Sequence, residues 1–324
     1  MTGLGSTKGV PARRYSSSKT ETDKHCELMQ DMLFRIREVN RVPEEVRKTV
    51  VPFQVDGVEI GKVLPENSQR LLKSGVFAKD DMGCLTFADS VGDTVEAKTA
   101  AVATVMNEMR EEGLIKGWRE ELYPIARGFY DEPVFFMERA AVPVLGALEY
   151  GVHLNGLVKQ DDGTERMWIG RRSADKSKYP GMLDHIVAGG QPAGLSLMEN
   201  VVKECLEEAG IPEDITRSGV QAVGAVSYES YDASKQALSR AVLFNYDLWL
   251  PQDFVPQPVD GEVQEFFLWS IDQVKESIAQ DFPDPIKPNC YTVIIDYLLR
   301  AGHVDPDTPG YLDVLRELRS GDCR

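Results

Sequence analysis

The spacing of apolar residues divides the chain into an N-terminal part of mixed periodicity and a later part dominated by alternation. Residues 26–39 and 95–112 carry apolar side chains at helical intervals, and Gly113 ends the second run as a typical C-cap. Residues 51–63 alternate as two strands around Asp56-Gly57, and GWREELYPI follows the long helix as an extended segment. The pattern predicts a small α+β domain at residues 25–139.

Alternation of apolar and polar residues is the main signal from about residue 150 onward. The dipeptide Asp162-Gly163 is typical of a tight hairpin between two of the predicted strands. The predicted strands are residues 152–159, 166–171, 221–228, 241–249 and 263–269, and the predicted helices of the tail are residues 291–300 and 311–318. We therefore expect a mixed sheet with helices on its faces at residues 140–305, followed by a C-terminal helix and tail at residues 306–324.

One further helix is predicted directly after the glycine pair Gly189-Gly190. Ser196 and Glu199 form the S-x-x-E pattern of a capping box, which places the helix start at Ser196. Gly210, followed closely by a proline, ends the helix. The glycine pair predicts a tight backbone turn that approaches a substrate closely.

The same helix carries three glutamates at helical spacing. A helical advance of about 100° per residue places Glu204, Glu207 and Glu208 within one arc. The apolar face predicted opposite them consists of Met198, Val202, Cys205 and Ala209. Adjacent like charges repel one another, and a hard dication such as Mg²⁺ or Mn²⁺ relieves that repulsion. The alternative is a solvated acidic face, which the preceding glycines make less favourable.

These residues resemble the Nudix box, G-x5-E-x7-R-E-U-x-E-E-x-G-U, in which U is aliphatic. Six positions fit in spacing, namely Gly189, Glu204, Glu207, Glu208, Gly210 and Ile211, and Cys205 is a mild departure at an aliphatic position. Leu195 replaces the first glutamate of the pattern and Lys203 replaces its arginine. Glu199 lies one turn before Lys203, so we expect these two residues to form the replacement pair.

The resemblance extends over residues 52–306. The segments KTAAVATVMNEMREEGLIKGWREELYPI, WIGRRSADKSKYPGMLDHIVAGGQPAGLS and KPNCYTVIIDYLLRAGHV are similar to Nudix proteins related to the Nudix part of thiamine pyrophosphokinase fusions, a group with plant plastid members. The resemblance implies a Nudix α/β/α sandwich after the N-terminal domain. It also implies Mg²⁺- or Mn²⁺-dependent hydrolysis of thiamine diphosphate analogues, with oxo- and oxythiamine diphosphate favoured, as metabolite repair.

Within that interpretation, Glu204 and Glu208 are the first-choice metal ligands and Glu207 completes the cluster. Glu262 is an equal candidate for a metal ligand or base and for an ordinary loop acid. Arg171 and Arg172 are candidates for binding phosphate through charge-assisted hydrogen bonds. The remaining substrate-binding candidates are Gly189, Gly190, Trp118 and Tyr123, the two aromatic residues for stacking on a substrate ring. The four histidines show no ligand spacing.

Three alternatives stay open at this point. The first is a Nudix hydrolase of another diphosphate, carried by a nucleoside or a sugar. The second is a Nudix-like binding module without catalysis. The third is isopentenyl diphosphate isomerase, which WIGRRSADKSKYPG also resembles, although DHIVAGG lacks the cysteine on which that enzyme depends.

Net charge limits the classes of binding partner that we expect, and cysteine usage indicates the state of the thiols. The 324 residues carry a formal net charge of −16, which argues against binding of nucleic acid and anionic membranes. The small diphosphate substrate that the resemblance implies would therefore need a local basic pocket or a metal. Five scattered cysteines without CxxC spacing favour reduced thiols over a disulfide framework or a zinc site of that type. Residues 1–24 are equally compatible with a disordered tail and a transit peptide, so the location is cytoplasmic, mitochondrial or plastid. The oligomeric state is not predicted.

Overall fold

A computed structural model describes residues 21–176, 178–233 and 236–322. The helices in this range are α1 Glu21–Val39, α2 Glu44–Arg47, α3 Pro65–Lys73, α4 Val95–Glu111, α5 Val142–Leu145, α6 Leu197–Ala209, α7 Glu213–Gly219, α8 Ile271–Ser277, α9 Pro288–Arg300 and α10 Tyr311–Glu317. The strands are β1 Val51–Val55, β2 Val58–Val63, β3 Phe77–Lys79, β4 Leu85–Phe87, β5 Leu122–Ile125, β6 Phe135–Glu138, β7 Leu148–Lys159, β8 Glu165–Arg172, β9 Leu183–His185, β10 Val187–Gly190, β11 Val220–Asp232, β12 Ala237–Trp249 and β13 Val263–Ser270. The predicted tail or transit peptide, residues 1–24, lies almost entirely outside the described residues.

The larger sheet has seven strands and is mixed, as predicted. Five of its strands follow the order β11-β12-β7-β8-β13, while β10 also pairs with β7 and β9 with β8. Strands β12 and β7 run parallel, and the other neighbours are antiparallel. The short strands β9 and β10, absent from the sequence prediction, bring residues 183–190 onto the centre of the sheet.

Helices cover both faces of this sheet, because successive strand residues point to opposite sides. Val152 and Leu154 of β7 pack with the apolar residues of α6 on one face. Leu157, from the same strand, belongs to a second core with Ile294 and Leu298 of α9 on the other face. The result is the predicted α/β/α sandwich.

A smaller unit with its own core precedes the sandwich. It holds a four-stranded sheet of order β2-β1-β4-β3, the β5–β6 hairpin and helix α4. Its core is built around Phe53, Phe77 and Phe135. The bounds of the predicted domains stay a prediction, but helix α1, counted there with the N-terminal domain, packs instead against α9 and α10 of the sandwich.

Local backbone signals in the sequence are realised in the fold. Asp56 and Gly57 have φ values of 51° and 76°, the left-handed pair that a tight hairpin between β1 and β2 needs. The predicted β7–β8 hairpin is present, and the backbone N–H of Thr164 donates to the Asp162 carboxylate at 2.9 Å. Four cysteines in the described residues are free thiols, and Cys205 is fully buried in the core, as expected. The helices of this part of the chain include none long and apolar enough to span a bilayer.

Candidate active site

Helix α6 is fixed at both ends by the residues that the sequence indicated. The Ser196 hydroxyl accepts the backbone N–H of Glu199, and the Glu199 carboxylate accepts the backbone N–H of Ser196 at 2.8 Å. At the other end Gly210 is left-handed with φ 62°, and Ile211 N–H donates to the Cys205 carbonyl at 3.0 Å. The predicted bounds are confirmed, so the register of the glutamates is set by local capping.

The predicted faces of α6 need correction, because Glu208 is buried rather than solvent-facing. Its side chain lies on the same side as Val201, Cys205 and Ala209, and only 8% of the residue is exposed. The Glu208 Oε2 atom accepts the backbone N–H of Ala188 at 3.0 Å. Strand β10 lies along this edge of the helix and covers it, which a helical projection of the sequence alone does not reveal.

Glu204 lies against the glycine pair, which is strand rather than loop. Gly189 pairs with Val152 and Gly190 with Gly151 in an antiparallel ladder, so the predicted tight turn is wrong. A Cβ atom at position 189 would overlap the side chain of Glu204. The glycine is therefore needed for close packing of a carboxylate on the strand and not for a left-handed backbone.

Burial raises the pKa of both Glu204 and Glu208, and neighbouring carboxylates add to its effect. The pKa of Glu208 lies well above its ordinary value, first because of burial and next because of the charge of Glu204. The pKa of Glu204 is also raised, again chiefly by burial. Oxygen donors held against strand β10, with their anionic forms destabilised, suit a hard dication that would restore the charged state. The two residues therefore fit Mg²⁺ or Mn²⁺.

Glu207 takes a different position from the other two. Its side chain is 50% exposed and its Oε2 atom accepts from Lys203 Nζ at 2.7 Å. Within the described residues, the carboxylate oxygens of the three glutamates do not all lie within 4.8 Å of one another. Glu204 and Glu208 are therefore the two glutamates of α6 whose carboxylates contact strand β10, and a ligand role for Glu207 stays a prediction.

Lys203 does not form the expected pair with Glu199. Its Nζ atom lies 3.1 Å from Glu204 Oε1 and 2.7 Å from Glu207 Oε2. Glu199 is engaged by the capping box at the helix start. The expectation is corrected because the cap competes successfully for Glu199, and the lysine instead separates two repelling glutamates.

This arrangement predicts a metal-sensitive effect of Lys203→Ala. Without metal, the variant should lose up to about 1 kcal/mol of unfolding free energy, the range of an exposed ion pair. Mg²⁺ should recover part of that loss by replacing the lost positive charge, whereas Lys203→Arg should be tolerated. Thermal unfolding with Mg²⁺ and with EDTA measures both effects, and Lys48→Ala, which breaks an exposed pair with Glu44, serves as the matched control. Complete loss of turnover in a folded Lys203→Arg variant would contradict this role.

The two predicted phosphate-binding arginines both lie in ion pairs. Arg171 forms a two-point contact with Asp284, at 3.1 and 2.6 Å. Arg172 donates to Asp184 Oδ2 at 2.6 Å and to the Tyr179 carbonyl at 3.1 Å. Their binding of substrate phosphate stays a prediction, since each guanidinium already has carboxylate and carbonyl partners.

Glu262 lies close enough to the glutamate pair to affect its charge. The negative charge of Glu262 contributes to the raised pKa values of Glu204 and Glu208. Its own carboxylate contacts Lys176, and its backbone carbonyl accepts from Ser173 N–H at 2.8 Å. The two interpretations of Glu262, functional acid and loop acid, both remain compatible with this position.

The small unit contacts Gly190, the last residue of strand β10, through Tyr123. A Cβ atom at Gly190 would overlap the Tyr123 hydroxyl and lie 3.1 Å from the guanidinium carbon of Arg139. Tyr123 is 3% exposed, and the Arg139 guanidinium lies over its ring at 5.3 Å. Trp118 instead packs against the small core, with the Arg110 guanidinium 4.7 Å from its ring centre.

Sequence reasoning missed Arg139 and a cluster formed by His153, His185 and Cys290. Arg139 follows β6 in sequence but reaches Gly190 only through folding, so no local pattern marks it. The cluster residues come from β7, β9 and α9, and their potential ligand atoms lie within 4.8 Å of one another. Their separation along the chain explains why ligand spacing gave no signal.

Comparison with known proteins finds relatives of both parts of the chain. Residues 31–149 match a family model described as "Domain of unknown function (DUF4743)". The chain is 50% identical over 229 residues to "Nudix hydrolase 20, chloroplastic" of Arabidopsis thaliana, a match that covers 70% of this chain and 59% of the relative. Among solved structures, the Nudix domain of Shewanella oneidensis NrtR complexed with ADP ribose has a TM-score of 0.38 and 15% identity, covering 48% of this chain and 89% of that one.

A second plant relative covers nearly the whole chain. "Nudix hydrolase 24, chloroplastic" of Arabidopsis thaliana is 40% identical over 309 residues, which span 95% of this chain and 83% of the relative. This match includes both the small unit and the sandwich with helix α6. The chain therefore belongs to the Nudix hydrolase family, as an enzyme that hydrolyses diphosphate linkages.

Proposed function

We propose that the enzyme hydrolyses thiamine diphosphate analogues, above all oxo- and oxythiamine diphosphate, to the monophosphate and inorganic phosphate. The observation that carries the chemistry is the placement of Glu204 and Glu208 against the β10 backbone, next to one another and to Gly189. We assign the metal, Mg²⁺ or Mn²⁺, to these two residues, with Glu207 and Glu262 as further candidates.

The bound metal would neutralise oxygen charge during P–O cleavage and lower the pKa of an attacking water. The protein supplies the positions. Ala188 N–H and the close fit of Gly189 hold the two carboxylates, and Lys203 limits their repulsion with Glu207. The oxygen of a water molecule bonds to one phosphorus, and the bond from that phosphorus to the bridging oxygen breaks. The bridging oxygen leaves with the other phosphate group. One water proton passes to the solvent and the other stays on the new phosphate oxygen.

Local positive charge supports binding of an anionic diphosphate to a chain of net charge −16. Arg172 and Lys287 together contact Asp184, at 2.6 and 3.3 Å, so this group of three carries a net positive charge. Arg139 also lies beside Gly190, where it forms an ion pair with Glu121 at 3.0 Å and offers further N–H donors. These groups lie on elements next to the glutamate pair, as an enzyme that uses charge-assisted phosphate contacts requires.

The choice of thiamine analogues rests on the resemblance of the sequence segments and on the position of Tyr123. Tyr123 is buried, so it would act by fixing strand β10 and Arg139 next to the diphosphate rather than by stacking on the substrate ring. In this proposal the small unit contributes to substrate selection through Tyr123 and Arg139, and Trp118 supports them through its core. Metabolite repair is the corresponding physiological role, in a plastid or mitochondrion if residues 1–24 are a transit peptide and in the cytoplasm otherwise.

A substrate panel tests this proposal. The purified enzyme with Mg²⁺ should have its highest kcat/KM on oxothiamine or oxythiamine diphosphate, by about tenfold or more over ADP-ribose and UDP-glucose, a difference of about 1.4 kcal/mol. A preference for a nucleoside or sugar diphosphate would overturn the substrate while leaving the reaction class. Release of phosphate from none of them, together with tight binding of one, would favour a non-catalytic module.

The contact between Tyr123 and Gly190 can be tested by a rescue experiment. Gly190→Ala should lower activity and cost about 1–3 kcal/mol of stability, since the new methyl group has no room beside the tyrosine hydroxyl. Tyr123→Phe removes that hydroxyl, so the double variant should recover part of both losses. Gly128→Ala is the control, because its new methyl group would meet only the tip of Asp131 at 3.3 Å. Additive losses in the double variant, in assays of kcat/KM and thermal unfolding, would refute the contact.

A further inference from the structure

A second cluster of ligand-type side chains lies in the core of the sandwich, apart from the glutamates of α6. His153 on β7, His185 on β9 and Cys290 on α9 are buried, with exposures of 4%, 2% and 0%. The potential ligand atoms of all three lie within 4.8 Å of one another. The Nδ1 atoms of the two imidazoles face each other at 3.0 Å, with the rings nearly perpendicular.

Asp184 adds a fourth donor beside the thiol. Its Oδ1 atom lies 2.7 Å from Cys290 Sγ, while its Oδ2 atom accepts from Arg172 at 2.6 Å and from Lys287 at 3.3 Å. One carboxylate oxygen thus contacts the thiol and also accepts the backbone N–H of His185 at 2.9 Å, and the other is fixed by two cations. Metal-ligating carboxylates are commonly held in this way by partners on their second oxygen.

The hydrogen bonds of the cluster do not account for all of its polar atoms. Within the described residues, Nε2 of His185 has no hydrogen-bond partner although it is buried. A neutral imidazole carries one nitrogen lone pair, so each ring can offer one donor atom to a metal. Two neutral imidazoles and a thiol gathered in a dry core are costly unless their polar atoms are satisfied.

We propose that His153, His185 and Cys290 bind a divalent transition metal of the zinc class, with Asp184 as the fourth ligand. Nitrogen and sulfur donors select Zn²⁺ or Co²⁺ over the Mg²⁺ that the glutamates suit. In a tetrahedral zinc site, bonds of about 2.0–2.3 Å place the donor atoms about 3.3–3.8 Å apart. The donor atoms of His153, His185 and Cys290 lie within 4.8 Å of one another, and Asp184 lies 2.7 Å from the thiol, so the four side chains would have to adjust to reach that geometry.

The charges of the cluster balance the ion. Binding replaces the thiol proton of Cys290, which is released to solvent, so the metal meets one thiolate, one carboxylate and two neutral rings. Arg172 and Lys287 oppose the ion, but both lie on the outer oxygen of Asp184. The site would therefore bind more weakly than one without neighbouring cations, and it would still select thiophilic metals.

The position of the site indicates a structural role. It joins the start of α9 to β7 and β9, and β9 leads within two residues to β10, whose Ala188 N–H holds Glu208. A metal at this point would fix the strand that positions the catalytic carboxylate. The metal is thus not required to contact the diphosphate.

Cobalt spectroscopy on the full chain tests the site independently of hydrolysis. Metal-free protein titrated with Co²⁺ should develop thiolate-to-cobalt charge-transfer absorption that saturates near one ion per chain. Excess Mg²⁺ should leave the band intact and Zn²⁺ should abolish it, because the glutamate site offers oxygen ligands alone. The band should be lost in Cys290→Ser and kept in Cys84→Ser, which changes a largely buried thiol next to strand β4 of the small unit.

The Co²⁺ spectrum of the wild-type protein tests the proposal even if a variant fails to fold. Folded wild type that shows no charge-transfer band with Co²⁺ would overturn the proposal, as would a band that Mg²⁺ displaces. Loss of the band in His153→Asn, with circular dichroism unchanged, would support it through a second ligand. A band of wild-type intensity in folded Cys290→Ser would also overturn it.

Discussion

Replacing Glu208 with glutamine is expected to lower Mg²⁺-dependent hydrolysis by about 10³-fold, which corresponds to about 4 kcal/mol of transition-state stabilisation. The side chain keeps its size and can still accept the Ala188 N–H through its amide oxygen. What it loses is the negative charge that, with Glu204, would hold the ion. The measurement is phosphate release from oxythiamine diphosphate at saturating Mg²⁺.

Unlike its activity, the thermal stability of Glu208→Gln should not fall when metal is removed. The pKa of Glu208 is raised in the folded protein by burial and by Glu204, so ionisation above that pKa opposes folding. In EDTA near neutral pH, Glu208→Gln should therefore melt at the same temperature as wild type or higher. Glu207→Gln is the matched comparison on the exposed side of α6 and should lose less activity. Near-wild-type hydrolysis in Glu208→Gln would falsify the metal assignment.

The second large effect is expected at the junction between the small unit and the sandwich. Glu229 is buried and accepts from Lys62 Nζ at 2.8 Å, Arg47 at 2.9 Å and Arg240 Nε at 2.9 Å. Arg240 is 1% exposed and also donates to the Gly146 carbonyl at 2.9 Å. Glu229→Gln removes one of the two carboxylates paired with the buried guanidinium, the other being Asp322 at 2.7 Å, so up to about 3 kcal/mol of unfolding free energy should be lost.

The pH dependence of this loss provides an internal check. Burial alone would raise the pKa of Glu229, but Lys62 and Arg240 lower it overall. The stabilisation is therefore present above the unfolded-state pKa of about 4.3 and is lost as pH falls through the lower folded-state value. Urea unfolding should show the difference between variant and wild type at pH near 7 and its decline in acid. Glu213→Gln, which breaks an exposed pair with Arg217, should change little. A difference below about 0.5 kcal/mol for Glu229→Gln at neutral pH would contradict this role.

The parts of the fold that sequence predicted well are those determined by nearby residues. The ends of α6 depend on Ser196, Glu199 and Gly210, which all lie within or next to the helix, so their hydrogen bonds are encoded locally. The β1–β2 hairpin likewise depends on the left-handed residues Asp56 and Gly57. Both features follow from backbone preferences that act over a few residues.

The sequence predictions that were wrong concern contacts between residues that lie far apart along the chain. The burial of Glu208 depends on β10, a strand too short to give a periodic signal, and the role of Gly189 depends on the same packing. Lys203 contacts Glu204 rather than Glu199, because the Glu199 carboxylate is hydrogen-bonded in the helix cap. Contacts between units, such as that of Tyr123 with Gly190, leave no pattern within either segment.

The most direct test of the account follows both products of one reaction. Phosphorus NMR of the wild-type enzyme with oxythiamine diphosphate and Mg²⁺ should show the diphosphate signals replaced by equal amounts of oxythiamine monophosphate and inorganic phosphate. EDTA should stop the conversion, and added Mg²⁺ should restore it. Persistence of the intact diphosphate in the presence of folded, Mg²⁺-supplied enzyme would contradict the proposed activity.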